Sequence, residues 1–186
     1  MLRDATDADR EQMLAWRNHP DVRRASLTTH VIGAAEHHAW WVRTSRDRTR
    51  RVLIFEYDDR PAGVVMLADV DDTTRTASWG FYLDIDGLGA RRQLLPAWLA
   101  LEQDTVSYAF DDLELDRLGG ATLAWNVQVL ALHQRFGFRE VRRYRHLVDG
   151  VPQDVVWTER GRPDSGRADT GRADTGRADS GAAGRG

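Results

Sequence analysis

His133, in the run "ALHQRFGF", carries an imidazole that exchanges its proton near neutral pH and can act as an acid toward a leaving group. A lone histidine on a short helix is also a common structural residue, satisfied by its neighbours. Arg17, in "WRN", can grip a carboxylate or a nucleotide phosphate with two parallel hydrogen bonds, or simply close a surface ion pair. The stretch "DGLGARRQLLPAW" offers two ways to hold an anion. Gly87 and Gly89 with Arg91 and Arg92 could form a guanidinium-lined cradle, although a lone Gly-x-Gly is a weak signal. A helix starting at Pro96 would leave the amides of Ala97, Trp98 and Leu99 unpaired and facing outward. The chain has no cysteine, so thiolate nucleophiles, thiolate metal sites and disulfides are excluded.

The elements that must position these groups can be read from periodicity and caps. Thr6 or Asp7 is expected to cap a helix over "DADREQMLAWRN", ended by His19-Pro20, and a second helix follows at "GAAEHHAWWVRTS". "RRVLIFEY", the turn Asp58-Asp59-Arg60 and "PAGVVMLADV" read as an antiparallel hairpin, extended by a third strand at "TASWGFYLDI". A helix with Leu99, Val106 and Phe110 on its apolar side comes next, then a strand "LGGATLAW" and a short helix "VQVLALHQRF" after Asn126. "FREVRRYRHLV" and "PQDVVWTER" close the domain as a hairpin through Asp149-Gly150. The strand-helix-strand unit from Thr76 to Trp125 is where a parallel or splayed pair forms, and ligand crevices lie outside the carboxyl ends of such strands.

Composition narrows the function. With 186 residues and 41% apolar content, one domain over 1–160 fits better than two. Beyond it, residues 161–186 repeat Gly, Arg, Asp and Ser or Thr without large side chains, and are expected to be a disordered tail. A net charge of -3 argues against nucleic acid as a partner. No apolar run approaches the roughly 20 residues that cross a bilayer, and the start lacks the apolar core of a signal peptide, so a soluble, cytoplasmic protein without a membrane partner is expected. All 26 basic residues are arginine, which reads as coding bias.

The order of elements resembles that of the GNAT superfamily of acyl-CoA N-acyltransferases. "AWRNHPDVRRAS" with "AAEHHAWWVR" is similar to the amino-terminal region of the nucleotide-amino-sugar N-acetyltransferases of pseudaminic acid synthesis and of the ribosomal-protein N-terminal acetyltransferases. "RPAGVVML", "ASWGFYL" and "TLAWNVQVLALHQRFGFREVRRY" match the family's middle strands and its closing strand-Asn-helix segment. The resemblance implies an α/β (α+β) domain whose mixed, mostly antiparallel sheet, flanked by helices, splays between its fourth and fifth strands, about 75–84 and 118–125 here. It implies direct attack of an amine on an acyl thioester, with acetyl-CoA as co-substrate and no metal.

The same resemblance distributes roles. His133 stands where the family most often has the tyrosine that protonates the leaving thiolate. A main-chain N–H near a strand bulge in the Trp79 to Tyr82 stretch polarises the carbonyl; Gly80 suits such a bulge, or merely makes room for an aromatic. Phe81, Tyr82, Leu83 and Asn126 fall on donor-arm positions, with Asn126 equally able to cap its helix. Trp16, Arg17, Asn18 and Trp79 fall on the acceptor side, and His37, Glu36 and Asp84 are alternatives for the base, with a water chain as the other route. The phosphate loop departs from the pattern: Gln93 fits, Pro96 and Trp98 replace the two glycines, and Ala97 lies between them. Three readings stay open: a CoA-dependent enzyme with a remodelled cradle, one that takes its acyl group from an acyl carrier protein, and a binding module without turnover. The acceptor is a small-molecule amine, with an amino sugar preferred, and a homodimer is a further expectation.

Overall fold

The computed structural model describes residues 1–163; most of the expected tail, residues 164–186, lies outside the described residues. A seven-stranded mixed sheet runs through it in the order β1-β2-β3-β4-β5-β7-β6. The strands are β1 (Leu2–Asp4), β2 (Arg51–Tyr57), β3 (Arg60–Asp71), β4 (Thr76–Leu83), β5 (Arg117–Leu123), β6 (Arg139–Val148) and β7 (Val151–Gly161). The helices are α1 (Arg10–Arg17), α2 (Pro20–Arg24), α3 (Ala34–Thr44), α4 (Ile85–Ala90), α5 (Leu94–Ser107) and α6 (Val127–Arg135). Every neighbouring pair is antiparallel except β4 and β5.

Local chemistry accounts for the frame. The β2–β3 hairpin turns through Asp58 and Asp59 at φ 54° and 58°, and the β6–β7 hairpin through Asp149 and Gly150 at φ 50° and 77°. Left-handed values at both central residues match the right-handed twist of the flanking strands. Alternation along β2 to β4 divides the core between the sheet's faces. Leu53, Phe55, Val65 and Leu67 pack with Leu101, Phe110, Leu118 and Phe138 on one face. Ile54, Val64 and Tyr82 pack with Met13, Trp16 and Trp41, from α1 and α3, on the other.

Three elements differ from expectation. Leu2–Asp4 pairs with β2, so "TASWGFYL" is the fourth strand, as the family resemblance implies, and not the third that the local pattern counts; three residues are too few to show an alternating pattern. Pro20 starts α2 with the His19 ring accepting from the Asp21 amide at 3.2 Å, so the proline that ends α1 also begins a helix. The "DGLGA" stretch forms α4, because the Asp84 carboxylate caps it by accepting from the Gly87 amide at 3.0 Å.

The amino terminus is tied down electrostatically. The Arg3 guanidinium donates to the Asp9 carboxylate at 2.9 and 2.8 Å and to Glu56 at 2.8 Å, while Asp9 also accepts from the Thr6 amide at 2.8 Å. Chiefly through the Arg3 hydrogen bonds, Asp9 is held down to about 2. A carboxylate depressed on folding contributes stability above its ordinary range and loses it as pH falls toward about 2. Stability in urea should therefore drop between pH 4 and 2, and Asp9→Asn should lower stability at pH 7 while flattening that drop. An unchanged acid limb in the variant would remove Asp9 from it.

Candidate active site

The parallel pairing of β4 and β5 covers only Thr76, Ala77 and Ser78 against Arg117, Leu118 and Gly119. Beyond Ser78 the strands part, leaving a cleft of about 690 Å³. Its walls include Trp79, Phe81, Tyr82 and Leu83 from β4, and Gly120, Ala121, Thr122 and Leu123 from β5. Gly120 sets the spacing where the parting begins, since a Cβ there would lie 2.9 Å from the Trp79 carbonyl oxygen. Gly80 occupies no bulge: β3 and β4 keep unbroken register from Gly63↔Leu83 to Ala68↔Ser78, and the irregularity falls later, between Ala68 and Asp71. It leaves open space, with no atom within 4 Å of where its Cβ would be.

His133, on α6, lines the cleft from its floor and is 4% exposed. Its ring lies 5.3 Å from both Trp79 and Phe138 and 6.4 Å from Phe81, measured between centroids. Nδ1 meets the Thr158 hydroxyl at 3.4 Å, and Nε2 lies 3.3 Å from Oε1 of Glu102 on α5. Glu102 is fully buried, and neither of its oxygens has an aligned hydrogen bond. The indole N–H groups of Trp79 and Trp98 are likewise buried without an acceptor, on side chains that line the cleft.

The other expected site residues divide. Arg17 lines the cleft; its Nη2 donates to the Thr28 carbonyl at 2.8 Å and its Nη1 is buried and unpartnered. Burial, followed by nearby Arg23, pulls its guanidinium below the ordinary arginine range. Tyr82 is pushed upward by burial, so its phenol stays protonated and is a donor rather than a base. Asn126 lines the cleft and caps α6, accepting from the Val129 amide at 3.5 Å. Trp16 lies in the core, and Asn18 clamps the Ile32 backbone at 2.9 and 2.8 Å. His37 is buried against Trp40, held below its usual range first by burial and then by Arg10, and lies off the cleft. Glu36 pairs with His30 at 2.9 Å and Asp84 caps α4, so neither alternative base reaches the cleft.

The expected anion cradle is corrected. α5 starts at Leu94, two residues before Pro96, so the Ala97 amide donates to the Gln93 carbonyl at 2.9 Å instead of facing outward. Ala97 is completely buried in the core. Gln93 accepts from Arg91 at 2.9 Å and donates to Asp58 at 3.3 Å, away from the cleft. Trp98 is one helical turn inside α5, with its ring 6.0 Å from Phe81. Its bulk forms a cleft wall rather than obstructing a loop.

The family model of the acetyltransferase (GNAT) domain matches residues 1–139. The chain belongs to that family. It is 25% identical over 128 residues to the acetyltransferase PseH of Campylobacter jejuni, covering 69% of this chain and 75% of that protein. It is 28% identical over 105 residues to the putative ribosomal N-acetyltransferase YdaF of Bacillus subtilis, covering 54% of each. The Vibrio cholerae spermidine N-acetyltransferase, solved in complex with CoA and spermine, superposes with a TM-score of 0.73 at 16% identity over 87% of this chain and 95% of that one. That likeness shows the fold. As a GNAT acetyltransferase the protein moves an acetyl group to an amine.

Several groups of this GNAT site went unread in the sequence. Glu102 falls four residues after Trp98 and four before Val106, on the buried side of α5 with Leu101 and Thr105. A carboxylate in that register was the available signal. Arg24 lies 5.4 Å over the ring of Trp125, and both line the mouth of the cleft. They come from α2 and from just beyond β5, which only the tertiary fold brings together.

Proposed function

We propose that the protein N-acetylates an amino sugar that carries an anionic group, with acetyl-CoA as the donor. The observation that carries this reading is the parted β4–β5 cleft with the unpartnered Trp79 and Trp98 indole N–H groups on its walls. A buried donor left unpaired costs about 1–3 kcal/mol, which carbonyl oxygens of a pantetheine amide or thioester would offset. Phe81 and Leu83, on the Trp79 face of β4, and Asn126 then flank the donor arm, whereas Tyr82 faces the acceptor side. The few free amides at the start of α5 leave the CoA phosphates dependent on weaker contacts.

In this reading the amine attacks the thioester carbonyl, the C–N bond forms and the C–S bond breaks. Hydrogen-bond donors along the free edge of β4 stabilise the oxyanion. His133 gives a proton to the leaving thiolate, and the amine's proton leaves through water, consistent with the positions of His37, Glu36 and Asp84 off the cleft.

Charge at the mouth favours an anionic acceptor over a polyamine. Arg17 and Arg24 line it against Asp21 as the one carboxylate among the described residues, and Trp125 offers a flat face 44% exposed. A mass-spectrometric screen of nucleotide-linked amino sugars, peptide amino termini and polyamines tests this. The chain has no lysine, so side-chain self-acetylation adds no background. A nucleotide-linked amino sugar should be acetylated best, and Arg24→Ala should raise its KM about tenfold or more, as expected for losing a charge-assisted contact worth about 1.5–3 kcal/mol. Preference for spermidine would sink the anionic acceptor, and failure of acetyl-CoA to bind in calorimetry would move the donor to a carrier-bound acyl group.

A further inference from the structure

Trp157 of β7 is a large side chain that the packing of the core does not use. It is half-buried, between the buried Val156 and Thr158, and among the described residues it joins no apolar cluster of the core. It is nevertheless held from three directions. Its indole N–H donates to Oε1 of Glu159 at 2.8 Å, and the Arg142 guanidinium of neighbouring β6 stands over its ring, 5.9 Å from the centroid. Arg142 is itself backed by Tyr144, its guanidinium 4.9 Å from that ring. On the β5 side the indole lies against bare backbone, because a Cβ at Gly119 would fall 2.8 Å from its Cζ2 and 3.1 Å from its Cε2.

Strand register places this ring on the acceptor side of the cleft. Trp157 pairs with Ala121, and Gly119, two residues before Ala121 on the same face, pairs with Ser78, whose face of β4 also carries Gly80 and Tyr82. Trp157 accordingly lines the cleft with Gly80, Ala121 and Arg17. An indole has two side-chain torsions to order on binding, and here its surroundings have already fixed them. Such a ring gains most from a partner with a flat or ring-shaped face, and less from a flexible chain, which touches it at few atoms and gives up its own freedom. We propose that Trp157 is a specificity-determining residue for the acetyl transfer: a fixed platform against which a cyclic amine packs, positioned by Gly119, Glu159 and Arg142. This role rests on the amine entering by the Tyr82 face, as in the function proposed above, and requires of the acceptor a ring, not a nucleotide or a negative charge.

Trp157→Phe and Trp157→Leu separate a platform from a filler, since both keep an apolar side chain at the position but only phenylalanine keeps a flat face. Steady-state kinetics with acetyl-CoA are measured on the full-length wild type and both variants, with a nucleotide-linked amino sugar, glucosamine and spermidine as acceptors. For the cyclic amines, Trp157→Leu should raise KM about tenfold or more and Trp157→Phe about threefold, with a smaller change for spermidine in both. Gly119→Ala keeps the indole but pushes it from its place, so it should raise KM for the cyclic amines in the same direction, and it is the informative variant if a Trp157 variant does not fold. Leu and Phe variants that behave alike, a KM for spermidine that rises as much as that for the cyclic amines, or a wild type that acetylates no cyclic amine would each overturn the platform. A wild type that prefers spermidine but keeps the Leu–Phe difference on cyclic amines sinks the amino-sugar reading and leaves the platform standing. A nucleotide-linked amino sugar acetylated best, with no Leu–Phe difference, does the reverse.

Discussion

Replacing His133 with Phe is expected to cost both stability and turnover, and the two losses should be separable. The variant leaves Glu102 fully buried with no imidazole beside it. Breaking one side of a buried pair costs about 3–5 kcal/mol, enough to lower Tm by roughly 10 °C in a domain of this size. Adding Glu102→Leu removes the orphaned carboxylate and places an apolar side chain among Leu101, Ala97 and Phe138, so the double variant should regain most of the loss. Turnover should not return with it. Loss of a general acid lowers kcat by about 10²–10⁴-fold, and no second imidazole lines the cleft among the described residues. Urea denaturation and steady-state kinetics on the single and double variants measure the two effects. A double variant with restored kcat would show that His133 serves only packing.

That separation also explains what could be read from the chain. Strands with clean alternation and hairpins closed by Asp58-Asp59 or Asp149-Gly150 were legible because turn chemistry and period 2 are local. Leu2–Asp4 was not, because a three-residue strand is defined by its partner β2. The start of α5 was misplaced by two residues because Pro96 suits any position in the first turn, and the preceding cap is not a strong N-cap residue: Gln93. Asn18 and Arg17 are adjacent and equally polar, yet one clamps Ile32 and the other lines the cleft, a difference set by the path of the loop after α2. The Glu102–His133 pair joins α5 to α6, elements far apart in the chain, so only an apolar register containing a carboxylate hinted at it.

Gly80 offers the second large effect, and its direction follows from the sheet's two faces. Gly80 stands opposite Met66, and Tyr82 opposite Val64, so the side chain it lacks would project on the face where Tyr82, Val64 and Met66 pack with α1 and α3. That face carries Arg17 and Val22 at the cleft, whereas Trp79 and Phe81 lie on the opposite face with Trp98 and His133. A Cβ at Gly80 meets nothing within 4 Å, and its φ is not among the positive values. Gly80→Val should therefore fold at least as stably as wild type, since a β-branched residue favours a strand more than glycine does. Its branches would occupy space on the acceptor side and displace the amine from its line of attack, where a shift of about 1 Å can cost 10²-fold. The expected result is kcat/KM for the amine lowered about 10²-fold, with acetyl-CoA affinity within about threefold, the latter resting on the Trp79 and Trp98 face. Gly120→Ala makes the opposing case: its methyl would press on the Trp79 carbonyl, so it should lose about 1–3 kcal/mol of stability and widen the donor side. Equal loss of donor and acceptor binding in Gly80→Val would contradict this division of the cleft by face.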